Sequence, residues 1–310
     1  MKDLLPMSTR YSTSASVPRL TEADETVLRA VNRFHYMTAA QVGRLVYPQC
    51  RDENRYAQRR LRRLVEADYL LRLRELPAPR FGSAPHVFTL ADRGRRHLAD
   101  RGVSLASSYY RPSEEYRKAW DNPFMEHTLA AVDVLVAAEL LCREFDVSMP
   151  RLLTERQLKR ETIRVRPTGH PDARPVAVIP DAWFELSIAH EPADCVALEL
   201  DRGTEEQAYW RRKIAALTAW ALGPYREAFE ADNLTVATVA PTTARRRTLA
   251  SWTYQELKAI GQTDIADIFL FTEVSPVTAP PDAFFFGRFW YPAGQTEPVS
   301  LLDLPEEGQR

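Results

Sequence analysis

Ile179-Pro-Asp-Ala-Trp-Phe-Glu-Leu186 and, further on, Val196-Ala-Leu-Glu-Leu-Asp-Arg-Gly-Thr-Glu205 are the two segments whose reading decides the fold of this chain. Both are strand-like apolar runs, and each carries carboxylates at one end: Asp181 on the first, Glu199 and Asp201 on the second. Carboxylates are costly inside a sheet unless they are paired, hydrogen-bonded or bound to a cation. Side chains alternate along a strand, so Glu199 and Asp201 should point one way and Leu198 and Leu200 the other. If the two strands are neighbours, three acidic groups converge on one small volume.

Helical and strand patterns alternate around this pair. A long apolar helix is expected over about 122–145, strongly helical sequence over 205–222, a strand at 233–240 and a helix at 243–260. Residues 265–274 read as a strand with a helical start. That alternation over 121–275 argues for an α/β layer. Residues 276–310 carry Pro276, Pro280, Pro281, Pro292, Pro298 and Pro305, and are expected to form a peripheral segment and an acidic tail. Within them, Phe284-Phe-Phe-Gly-Arg-Phe-Trp-Tyr291 reads as a strand covering the core.

The chain has 310 residues, 45% of them hydrophobic, and a formal net charge of -1, enough for one large or two ordinary domains. The charge is unevenly placed. Residues 1–120 hold 22 Lys and Arg against 13 Asp and Glu, and residues 121–310 hold 19 against 29. A basic module that meets a polyanion, joined to an acidic module with a different task, fits this asymmetry. Cys50, Cys142 and Cys195 are odd in number and far apart, which suits a reducing cytoplasm and excludes a disulfide framework. The opening Met1-Lys-Asp-Leu-Leu-Pro lacks the pattern of a signal peptide, and the apolar run Thr128–Cys142 is interrupted by Asp133 and Glu139. The expected location is cytoplasmic, with no membrane partner.

The basic half has its own pattern. Residues 1–18 are Ser/Thr-rich and are expected to lack fixed structure. Thr21 is a good helix N-cap before Glu22, Asp24 and Glu25, Thr38 opens a second helix, and a third runs over about 54–67. Two β-leaning runs follow, 69–74 and 85–90, separated by the turn-rich Pro77-Ala-Pro-Arg-Phe-Gly-Ser83. Three helices followed by a two-stranded hairpin is the order of a winged helix-turn-helix. Arg51, Arg55, Arg59, Arg60, Arg62 and Arg63 crowd the third helix and its approach. Arg55, Arg59 and Arg62 fall within about 60° of each other at ~100° per residue, opposite Ala57, Leu61 and Leu64. In a winged helix this element enters the major groove while the wing touches phosphates, and Arg72, Arg74 and Arg80 extend the positive surface. The expected partner is double-stranded DNA, and a homodimer is a further partner that winged helices often use.

The acidic half carries the chemistry. Asp181 and Glu199 are the oxygen donors expected to hold Mg²⁺ or Mn²⁺, with Glu155 reaching the metal from a preceding helix. Asp201 adds a ligand or orients a bound water. Lys213, in Tyr209-Trp-Arg-Arg-Lys-Ile214, is the cation expected to stabilise charge growing on a phosphate, and Arg202 is the second choice. The catalytic set is therefore Asp181, Glu199, Asp201 and Lys213. The opposing reading makes these acids strand-end caps paired with Arg202, Arg211 or Arg212.

Pro180-Asp181 followed by Glu199-Leu-Asp201 resembles the PD-(D/E)xK nuclease motif. The whole layout over about 20–275, a winged helix followed by Ile-Pro-Asp, then Leu-Glu-Leu-Asp-Arg-Gly-Thr-Glu and a downstream lysine, resembles the replication-relaxation family of bacterial plasmids and mobile elements. The resemblance implies a restriction-endonuclease-like α/β domain, metal-ligand roles for Asp181 and Glu199, and a DNA relaxation or nicking activity. The chain departs from the motif at its third position, where Asp201 replaces lysine. Some members of the wider superfamily carry that lysine on the following helix, where Lys213 lies.

The reading divides the chain into an N-terminal tail (1–18), a winged-helix DNA-binding domain (19–105), a linker (106–120), a PD-(D/E)xK nuclease-like domain (121–275) and a peripheral segment with an acidic tail (276–310). The expected function is plasmid or mobile-element replication and relaxation by metal-dependent nicking at an origin or similar duplex. The alternative is a transcriptional or copy-number regulator with an inert nuclease fold. A protein-interaction module without DNA affinity is a third possibility. No Walker-type sequence is present, so no nucleotide cofactor is expected. Tyr109 and Tyr110 read as linker aromatics, His127 as a packing residue on an apolar helix, and Thr242-Thr-Ala-Arg-Arg-Arg247 as either a phosphate clamp or a solvated helix start.

Overall fold

The computed structural model describes residues 20–73, 85–106, 125–170, 172–188 and 192–303. Residues 1–19, residues 74–84 with Arg74, Arg80 and the expected turn 77–83, residues 107–124 with Tyr109 and Tyr110, and the last seven residues lie outside them. The basic half opens with α1 (Glu22–Phe34), held by a capping box in which Thr21 accepts from the Asp24 N–H and Asp24 accepts from the Thr21 N–H at 2.9 Å. Then come β1 (Met37–Thr38), α2 (Ala39–Val46), α3 (Glu53–Glu66), β2 (Leu70–Leu73), β3 (Val87–Leu90) and α4 (Asp92–Asp100). Thr38 caps α2 through a second capping box with Gln41, and Asp52 caps α3. Strands β1, β3 and β2 form an antiparallel sheet in that order. Three helices followed by an antiparallel pair is the predicted order.

The acidic half is a mixed α/β layer. Its long helix α5 (Met125–Glu144) is followed by β4 (Val147–Ser148), β5 (Leu152–Thr154), the short α6 (Glu155–Leu158) and a separate antiparallel pair, β6 (Ile163–Val165) and β7 (Val176–Val178). The two acidic segments are β8 (Ala182–Ile188) and β9 (Asp194–Leu200). After them come α7 (Gln207–Ala221), α8 (Tyr225–Phe229), β10 (Thr235–Val239), α9 (Thr243–Ala259), a 3-10 turn (Thr263–Ile268), β11 (Phe269–Thr272), α10 (Pro281–Phe286) and β12 (Tyr291–Pro292). The main sheet runs β12-β11-β10-β9-β8-β4, with β5 also paired to β8. Strands β9, β10 and β11 are mutually parallel, and β8 and β12 are antiparallel to their neighbours. Val196, Leu198 and Leu200 pack on the α5 side, while Cys195, Ala197, Val236 and Phe269 pack on the side of α7 and α9. The alternation expected for β9 is therefore present.

Two expectations for the C-terminal segment change. Phe284 and Phe285 lie on a helix, not a strand, because Pro281 takes the first helical turn, where its missing N–H costs nothing. The segment is also not peripheral as far as residue 303. β12 completes the sheet edge, and Phe284, Phe285 and Trp290 are fully buried. Pro280, Pro281 and Pro292 sit at element ends, leaving the aromatic residues between them free to pack.

The two halves share one apolar core. Val27, Leu28, Val42 and Leu45 of the first helices belong to the same cluster as Val132, Leu135 and Leu198 of the layer. Polar contacts cross the same seam. Gln41 Nε2 donates to the Leu129 carbonyl at 2.7 Å, and Arg44 pairs with Asp133 at 3.2 Å and donates to the Pro276 carbonyl at 2.6 Å.

Candidate functional site

Register brings the acidic residues together. Ala182 of β8 lies opposite Leu198 of β9, and the Asp181 N–H just before it donates to the Leu198 carbonyl at 2.9 Å. The Asp181 carboxylate lies across the start of the pair. Its Oδ2 accepts from the Leu200 N–H at 2.7 Å, and its Oδ1 is 2.6 Å from Nε2 of His127 on α5. Glu199 projects toward α7 and is 2% exposed. Lys213, nearly two turns into α7 beside the buried Trp210 and Ile214, places its Nζ 2.7 Å from Glu199 Oε2 and 3.1 Å from Glu205 Oε1. The structure thus places Asp181, Glu199 and Lys213 in one site and adds His127 and Glu205.

The electrostatics are those of opposed charges in a dry place. Burial pushes the Glu199 carboxyl up to about 7, against the pull of Lys213. Burial also works against the Lys213 ammonium, but Glu199, Glu205 and Asp181 outweigh it and hold the lysine above its usual value. The hydrogen bond to Asp181 raises His127 above an ordinary imidazole, with burial opposing.

The other predicted site residues go elsewhere. Asp201 points to α9, where Arg245 grips both of its oxygens at 2.7 and 2.8 Å. Its Oδ2 also accepts from the Gly203 N–H at 2.9 Å, in a turn that requires φ of 83°. Glu155 is ion-paired with Lys159, which caps the end of its short helix, although it lines a cavity shared with Asp181 and His127. Arg202 pairs with Glu126. Among the described residues no group of three or more His, Cys, Asp or Glu side chains is spaced to hold a metal. The donors that remain, Asp181 and Glu199, are hard oxygens. They match the chemistry of Mg²⁺, which takes one or two carboxylates and completes its shell with water and substrate phosphate.

The arginine face is a second feature. Arg51, Arg55, Arg59, Arg62, Arg63 and Arg72 are exposed. A groove of about 610 Å³ runs between α3 and the β2–β3 pair, lined by Asn54, Gln58, Arg62, Arg72 and His86 among others. Arg60 is diverted inward: its guanidinium donates to Thr21 Oγ1 at 3.0 Å and lies 3.7 Å from the buried Asp24. It serves the α1 cap.

A family model described as replication-relaxation matches residues 28–231. The chain belongs to the replication-relaxation family. No curated protein and no solved structure matches it. Membership ties the chain to a replication-related function. The matched region contains both the arginine helix and the Asp181–Glu199–Lys213 group, and stops before α9.

Sequence reasoning missed two parts of this replication-relaxation protein. His127 reads as packing because its neighbours on α5 are apolar and nothing in its spacing points to a residue 54 positions away. Arg245 and Arg246 read as a clamp or a solvated start. Instead Arg245 holds Asp201, and Arg246 pairs with Glu273 over the Tyr291 ring. Only the fold shows that the Asp201 carboxylate lies within reach of Arg245. No helix among the described residues is long and apolar enough to cross a membrane.

Proposed function

We propose that this chain is a plasmid or mobile-element replication-relaxation protein whose basic half binds duplex DNA as a winged helix and whose α/β layer nicks or relaxes that DNA with a divalent metal. The observation that carries the reading is Lys213 on Glu199 at 2.7 Å, beside an Asp181 fixed by His127 and the β9 backbone. That set supplies what the departed third motif position lacks: a lysine at the carboxylates, delivered from the following helix.

Asp181 and Glu199 are the residues that would hold Mg²⁺ or Mn²⁺. A metal bound there supplies Lewis acidity toward a phosphate oxygen and a more acidic water. Lys213 keeps a fixed positive charge close to where negative charge would grow on the phosphate oxygens. His127 is a positioning residue: it sets the direction of the Asp181 carboxylate and leaves Oδ2 to the Leu200 N–H. The test is conversion of supercoiled plasmid to open circles with Mg²⁺ or Mn²⁺. Nicking by the wild type and its loss in Asp181→Ala and Glu199→Ala is the expected result.

A second reading, a DNA-binding regulator with an inert nuclease fold, is favoured by one observation: the Asp181 and Glu199 carboxylates are already met by His127 and Lys213. Undiminished duplex binding with no nicking under either metal would sink the enzyme reading and leave this one.

A further inference from the structure

The outward surface of α3 carries two kinds of polar side chain, and they lie on different parts of it. Arg55, Arg59, Arg62 and Arg63 are exposed, and none of them has an ion-pair partner among the described residues. The two amides of the helix, Asn54 and Gln58, are exposed as well. They stand one turn apart, and at ~100° per residue their directions differ by about 40°. Both line the groove between α3 and the β2–β3 pair, as does Arg62 a turn further along the same stripe. Arg55, Arg59 and Arg63 do not line it. The groove edge of α3 therefore presents neutral amides where the surface beyond it presents arginine.

A helix that only clamps phosphates needs charge, and amides add none. Amides suit a different task. Each offers a donor and an acceptor side by side, the complement of the N6 amino group and N7 of adenine on the major-groove edge of an A·T pair. Gln58 Nε2 donates to Asn54 Oδ1 at 3.4 Å. That bond uses one Nε2 hydrogen and leaves the second, together with Oε1, for a ligand. It also restrains the Gln58 side chain in advance, which lowers the entropy lost on binding. One carboxylate, Glu66, lines the groove. It lies about 12 Å along the helix axis from Gln58, so the amide end is the uncharged end.

We propose that Gln58, oriented by Asn54, is a base-reading residue of α3 and takes the adenine of an A·T pair at the groove edge of the helix, while the arginines, Arg62 included, hold phosphates. The proposal rests on the duplex-binding reading above and deepens it to the base that is read. Asn54 is the positioning residue of the pair, and Gln58 makes the contact.

The test takes the full chain in EDTA, selects duplexes from a random pool at fixed salt and measures affinities by anisotropy. The wild type is expected to enrich duplexes with A·T fixed at one position. Gln58→Ala should lose the preference at that position alone. It should weaken binding to the selected duplex about ten-fold without changing the salt slope, because a neutral group releases no counterion. Replacing that adenine by 7-deazaadenine, which removes N7, should weaken the wild type and leave Gln58→Ala unaffected. Asn54→Ala should show a smaller loss at the same position. Alanine is the better helix former at both exposed sites, so α3 is retained, and circular dichroism checks it. An unchanged preference in Gln58→Ala, an equal 7-deazaadenine effect in wild type and variant, or a wild type that selects no adenine would each overturn the proposal. Duplex binding measured on the same samples separates the failures. If it persists with a slope that depends on Arg55, Arg59 and Arg62, only the base reading is lost; if the wild type binds no duplex, the nucleic-acid reading itself has failed.

Discussion

Glu199 is almost fully buried and its counter-charge is Lys213. Removing the lysine leaves a buried carboxylate without a partner, which costs about 3–5 kcal/mol, whereas removing both charges costs far less. Lys213→Met is therefore expected to lower stability by about 3 kcal/mol in urea unfolding, and adding Glu199→Gln should restore most of it. If the double variant is as unstable as the single one, the two groups are not an energetic pair. His35 gives a pH dependence. Burial pushes its folded pKa down to about 4, below the unfolded 6.5, so unfolding takes up a proton in between. The contribution is complete above pH 6.5 and is lost as pH falls through about 4, worth up to about 3 kcal/mol. The melting temperature of wild type should fall relative to that of His35→Asn as pH drops through that window; parallel curves would show that the imidazole is not buried neutral.

At the scale of elements, α3 separates into two jobs. Its outward arginines meet solvent and the groove, while Arg60 is spent on the cap of α1. Arg55→Ala, Arg59→Ala and Arg62→Ala should each lower the salt slope of duplex binding by about 0.9. Arg60→Ala should leave that slope nearly unchanged. Thr21→Ala should cost about 1 kcal/mol of stability by removing the capping oxygen, with no effect on binding at all. The comparison of slopes from salt titrations decides this, since a uniform loss for all four arginines would mean that the helix acts only as a diffuse charge. The helix starts at Thr21 and Thr38 and the split of α3 into apolar and arginine faces were legible in the sequence, because capping and helical periodicity are local; the reciprocal bonds of Asp24 and Gln41 that complete the caps were not read. The inward turn of Arg60 was not, because it depends on where α1 crosses α3.

For the whole molecule, the seam between the halves is the telling feature. Val42 and Leu45 share a core with α5, and Gln41 and Arg44 bond across it. A module with its own core would melt alone. A shared one couples the two, so calorimetry is expected to show a single transition whose calorimetric and van't Hoff enthalpies agree. Two resolved transitions would mean that the seam is a docking contact. Leu45→Ala, at the seam, should lower the whole transition by about 2–5 kcal/mol. The coupling also gives the cavity beside Asp181 and His127 a fixed shape, since its walls come from both halves.

The sequence by itself determined the helices and the β2 and β3 strands of the basic half, the order of β8, β9, α7, β10 and α9, the direction in which Glu199 and Leu198 point and the arginine face of α3; the pairing of β8 with β9 brought Asp181 to Glu199. The former follow from short-range periodicity and caps. Tertiary structure alone decided which partner each charge took: Lys213 for Glu199, Arg245 for Asp201, His127 for Asp181. Such choices join residues far apart in the chain, where pairing depends on the few ångströms between packed helices and a sheet, and local pattern carries no record of those distances.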